Sequence, residues 1–115
     1  MAVREFTVNI SPALAMNAIE AYIMKEEVTG TLVDWYVRLV GKHEVHVIIF
    51  EKYTMRTTSR ASLTVTIDNF GGDTKVHAVA SGGSAGPHLH IDWGTRENFL
   101  NHVEAALRDS IIQEV

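Results

Sequence analysis

Between Thr31 and Ala80 the chain carries strand and turn patterns almost without interruption, and that stretch limits the fold more than any other feature. Ala61, Leu63, Val65 and Ile67 alternate with Ser62, Thr64, Thr66 and Asp68. This period of two belongs to a strand with one face buried and the other wet. Thr31–Val40 is rich in β-branched and aromatic residues, which suit a pleated surface. Glu44–Tyr53 and Lys75–Ala80 read as further strands, separated by turn signals at Gly41-Lys42 and at Asn69-Phe70-Gly71-Gly72-Asp73. Connections this short join antiparallel neighbours, because a parallel pair needs a crossover of a dozen or more residues.

Helical patterns flank the strands. Glu5–Ile10 alternates as a short first strand, and Ser11-Pro12 then opens a helix expected over Pro12–Glu27. Serine caps free amide groups, and proline at the first helical position loses no hydrogen bond. Gly30 ends that pattern. Thr95 is placed to cap a second helix with an apolar stripe of Phe99, Leu100, Val103, Ala106, Leu107 and Ile111. His88–Trp93 reads as a short last strand before it. The expected fold is a single α+β domain over residues 1–115, in the order β-α-β-β-β-β-(β)-α. It has two layers: an antiparallel sheet of about five or six strands, and two helices on one face, one near each end of the chain.

Composition narrows the function classes. The 115 residues contain no cysteine, which excludes disulfides, thiolate metal sites and a cysteine nucleophile. The formal charge of −4 disfavours phosphate backbones and anionic membranes, so no nucleic-acid or membrane partner is expected. The longest strongly apolar run, Val47–Phe50, is far short of the roughly 18 residues that span a bilayer. The reading is a cytoplasmic protein.

Three groups of residues are candidates for function. In the strands Thr31–Val40 and Glu44–Tyr53 apolar side chains fall on both sides, whereas a two-layer sheet needs them on one. Leu32, Tyr36, Ile48 and Phe50 are expected on the outer face as a patch for a second copy or a hydrophobic ligand. The bland counterpart is a bent sheet whose own chain covers both sides. The second group is His88, His90 and Asp92, which share a side if the segment is a strand. With His77, or His46, they resemble the ligand set of a divalent transition metal such as zinc or iron; a half-exposed edge strand shows the same alternation. The third group is Arg56 and Arg60, around a hydroxyl-rich segment and near the Ser81–Gly86 loop, where arginine forks suit a carboxylate or phosphate. A solvated loop accounts for them equally well. No Ser-His-Asp triad or carboxylate pair can be placed, and whether the chain is an enzyme stays open. The leading reading is a small non-enzymatic binding or interaction module that self-associates or takes a small molecule. A metal-binding protein or metal-dependent enzyme is the alternative.

The segments Phe50–Thr57 and Arg60–Asp68, with Val76-His77-Ala78, Ser81-Gly82-Gly83 and Asp92-Trp93-Gly94, resemble a family of small uncharacterised bacterial proteins of unknown function. The resemblance spans nearly the whole chain. It implies a bacterial, single-domain protein and brings no activity and no catalytic residues with it.

Overall fold

The computed structural model describes residues 2–25, 28, 30–54, 59–84 and 93–115. Its elements are β1 (Ala2–Val8), α1 (Pro12–Ile23), β2 (Thr31–Val40), β3 (His43–Thr54), β4 (Ser59–Asp68), β5 (Thr74–Ser84), α2 (Trp93–Leu107) and β6 (Ile111–Glu114). One open sheet of six strands runs in the order β2-β3-β4-β5-β1-β6, and all of its pairs are antiparallel. The fold is thus α+β, with a helix near each end of the chain.

The strand register explains the layering. Phe50 pairs with Leu63, Ile48 with Val65 and His46 with Ile67; Leu63 continues to Ala80, Val65 to Ala78 and Ile67 to Val76. Directly paired residues share a face, so these rows put one apolar set on one side of the sheet. Phe6 and Val8 of β1 join it, and α1 and α2 close over it with Ala15, Met16, Ile19, Ile23, Phe99, Leu100, Val103 and Leu107. On the same side, Arg4 of β1 reaches two carboxylates of α2, Glu97 at 3.0 Å and Glu104 at 3.4 Å. Glu104 also shares a hydrogen bond with Glu114 of β6, which raises the Glu114 carboxyl above its ordinary value; burial adds to the rise and Arg4 opposes it.

Local chemistry sets the ends of these elements. The Ser11 hydroxyl accepts the Leu14 amide at 3.2 Å, as a serine cap should. The first helix stops at Ile23, short of the expected Glu27, and the amide of Gly30 returns to the Ile23 carbonyl at 3.0 Å. A Cβ on Gly30 would lie 2.3 Å from the Ile23 side chain, so only glycine admits that return. Gly82 is restricted in the same way. Its φ is +123°, and a Cβ there would meet the Arg60 carbonyl oxygen at 2.3 Å. This glycine lets β5 stay paired with β4 as far as Ser84, so four of the six residues of the expected Ser81–Gly86 loop are strand. The Asn69 side chain ties two turns together: it accepts from the Glu44 amide at 2.8 Å and donates to the Lys42 carbonyl at 3.1 Å.

The second helix departs from expectation at both ends. It begins at Trp93, so that residue is not in a strand and Thr95 lies inside the first turn. It ends at Leu107, and Ile111, read as the last residue of its stripe, opens β6 beside β1. Of the expected last strand, residues 88–92 lie outside the described residues.

Leu32, Ile48 and Phe50 correct the expected outer patch. Ile48 and Phe50 are fully buried under the helices, and Leu32 is partly buried against them. Strict alternation through β2 would put Leu32 on the side of Tyr36, but Leu32 pairs with Phe50 and Asp34 with Ile49, so Val33 is an extra residue in a bulge. The bulge turns Leu32 to the side of Trp35 and leaves Tyr36 on the opposite face. Substitution separates the two placements: Phe50→Ala is expected to cost roughly 3–5 kcal/mol in urea unfolding, whereas Tyr36→Ala should cost under about 1 kcal/mol. Equal losses would contradict the register described here.

The contact between the helices carries a pH dependence. His102 of α2 lies with its ring 5.7 Å from that of Tyr22 in α1. Burial, and then the Lys52 ammonium, hold the imidazole below its ordinary 6.5. The unfolded chain therefore binds this proton more readily than the folded one. Stability from this group is complete above about pH 6.5 and falls as the pH drops from there through the lowered folded value. Urea midpoints across this range should fall less on acidification in His102→Gln than in the parent chain.

Candidate functional surface

The sheet face opposite the helices is covered by no other described element. Its rows follow from the same register. Tyr36, Val47, Thr66, His77 and Glu5 form one row; Asp34, Ile49, Thr64, Val79 and Val3 form the next; Arg38, Val45, Asp68, Lys75 and Thr7 form a third. The first two rows hold an apolar band running from Tyr36 through Val47, Ile49 and Val79 to Val3, with threonines between. Tyr36 is 47% exposed and Val3 51%, while the valines and Ile49 between them are half-buried. The outer patch expected from sequence is therefore present in kind, but Tyr36 is its only member among the residues named for it. Val47 and Ile49 are its floor, and Val45 stands in the neighbouring row.

Polar groups fill the far end of this face. The His77 Nδ1 lies 2.7 Å from Glu5 Oε1, and Lys75 Nζ donates to Thr7 Oγ1 at 2.8 Å. Glu5, Thr7, Asp68, Lys75, His77 and Val115 surround a shallow depression of about 210 Å³. The histidine and the carboxylate are both about half exposed, so water screens the pair and its contribution to stability is small.

His46 is on the other side of the sheet and its role is different. It is buried, and both ring nitrogens have partners: Trp35 Nε1 at 3.3 Å from Nδ1 and Glu44 Oε1 at 3.0 Å from Nε2. An indole N–H only donates, so Nδ1 is the acceptor and Nε2 carries the proton towards Glu44. The Trp35 and His46 rings also stack, with centroids 6.3 Å apart. This group fastens β2 to β3 and leaves His46 no free nitrogen for a ligand or a substrate.

The expected metal set is accordingly divided. His77 and His46 face opposite sides of the sheet and cannot share an ion. His88, His90 and Asp92 lie outside the described residues, and among those described no cluster of three or more His, Asp or Glu is placed to hold one. Of the expected anion pair, Arg60 is exposed near the start of β4, across from Tyr53 of β3, and Arg56 lies outside the described residues.

No helix among the described residues is long and apolar enough to cross a membrane. No curated protein and no solved structure matches the chain. A family model does, over residues 1–111. The chain belongs to that family, DUF6054, a family of unknown function.

Proposed function

We propose that the protein is a non-enzymatic binding module and that the open sheet face is its binding surface. The observation that carries this reading is the apolar band Tyr36–Val47–Ile49–Val79–Val3 on a sheet face that the helices do not cover. Apolar side chains gathered on an uncovered face mark a contact surface more often than a solvated one. Threonines among them, and the Lys75, His77 and Glu5 groups at one end, suit an amphipathic occupant: an apolar body along the band and a polar end at the depression. His77 and Lys75 are both engaged by neighbouring side chains, an arrangement fitted to holding a polar group more than to turning one over. The cysteine-free composition fits a cytoplasmic setting, and a bacterial source remains part of the same proposal.

The test uses anilinonaphthalene sulfonate, which has an apolar body and an anionic end. The parent chain is expected to bind it with saturable fluorescence. Ile49→Lys and Val79→Lys should each weaken binding roughly tenfold, because a charge placed on the band must be desolvated on contact. Their melting temperatures should stay close to the parent's. Binding that survives both substitutions would remove the open face as the binding surface.

A further inference from the structure

We propose that β2 is a self-complementary edge, through which two copies of this chain join their sheets into one continuous antiparallel sheet. β2 ends the strand order and has a neighbour only in β3 among the described residues. It is ten residues long, and Val33, Trp35, Tyr36, Val37, Leu39 and Val40 are all substantially exposed. Natural edges are protected by brevity, by charged side chains, lysine above all, by proline or by bulges. The opposite edge follows that rule, with four residues ending in Gln113 and Glu114. β2 contains neither lysine nor proline; its two charges, Asp34 and Arg38, are of opposite sign, and its bulge at Val33 lies near one end, leaving Asp34–Val40 in regular pairing.

The backbone shows which groups are free. Val40 and His43 pair across the two-residue turn Gly41-Lys42, so bonded pairs alternate from there through Arg38–Val45 and Tyr36–Val47. The N–H and C=O groups of Trp35, Val37 and Leu39 then point away from β3. Trp35 confirms it: its amide donates to the carboxylate of its neighbour Asp34 at 2.9 Å.

The sequence fits a copy of itself at this edge. In an antiparallel pairing about a two-fold axis between the two Tyr36 residues, Trp35 faces the partner's Val37. Both residues turn their backbone groups outward, and each such pair exchanges about two hydrogen bonds once the Trp35 amide passes from the Asp34 carboxylate to the partner's Val37 carbonyl, freeing that carboxylate for the partner's Arg38. The same register sets Asp34 opposite the partner's Arg38, and Arg38 opposite the partner's Asp34. All four charges sit on the open face in the closer, non-hydrogen-bonded positions. The Arg38 guanidinium already leans along this face to the Tyr36 hydroxyl. A slip of two residues either way sets Asp34 against Val40 or Tyr36 and loses both charge pairs, so the charges select one register. A two-fold axis normal to the sheet keeps both helix layers on one side and joins the two open faces on the other.

This pairing does not depend on the open face binding a ligand, and the experiment separates the two. Native mass spectrometry and sedimentation over a concentration series should show a dimer of the untagged chain. Val37→Pro removes only an outward N–H, so it should give a monomer with unchanged circular dichroism. Asp34→Arg and Arg38→Asp each put like charges opposite one another, and should each weaken the dimer by roughly tenfold or more. Mixed in equal amounts, these two variants restore both opposite-charge pairs and should form a heterodimer. A parent chain that stays monomeric at hundreds of micromolar overturns the proposal, as does a mixture no more associated than its components. A dimer that survives Val37→Pro but is lost in Ile49→Lys is a face-to-face contact and also overturns it.

Discussion

One constraint organises the molecule: an antiparallel sheet with helices on only one side must place its apolar rows in a single register. Phe50–Leu63–Ala80 and Ile48–Val65–Ala78 run straight across three strands under the helices. A slip of one residue would carry the whole set to water. Glycines at close approaches, the Asn69 link between two turns and the Trp35–His46–Glu44 group at the edge all hold that register. The contents of the open face follow as the remainder.

That remainder is unusual in being part apolar. A half-exposed face is ordinarily filled with polar side chains, and β4 obeys this with Ser62, Thr64, Thr66 and Asp68. β3 does not, because Val45, Val47 and Ile49 stand there while Ile48 and Phe50 fill the core on the other side. This second set lies on the sheet face away from both helices. It is the observation on which the proposed binding face rests, as the long apolar edge beside it is for the proposed pairing. Face and edge meet at Tyr36, where a ligand surface and a self-pairing strand would adjoin.

The titratable groups are divided in the same manner. Histidine on the helix side is used for construction: His46 is locked between Trp35 and Glu44, and His102 lies at the meeting of the two helices. His77 alone of these three stands on the open face, where its exposed pairing with Glu5 contributes little to folding and remains accessible to a partner.

Local pattern was enough for much of this. Alternation in Ala61–Asp68, the Ser11-Pro12 helix start and the two-residue turn at Gly41-Lys42 determined strand type, helix start and antiparallel pairing, because each depends on near neighbours in the chain. Which face of β2 and β3 turned inward was decided only by tertiary structure. Where both sides of a strand are apolar, its periodicity has no preferred phase, and the bulge at Val33 reverses any phase carried through it. Strand order, the separation of His46 from His77 and the addition of β6 beside β1 likewise required the folded chain, since they join residues far apart in sequence. The charge symmetry of Asp34 and Arg38 about Tyr36 was present in the sequence from the start. It acquired physical meaning only when the sheet left that strand at its edge.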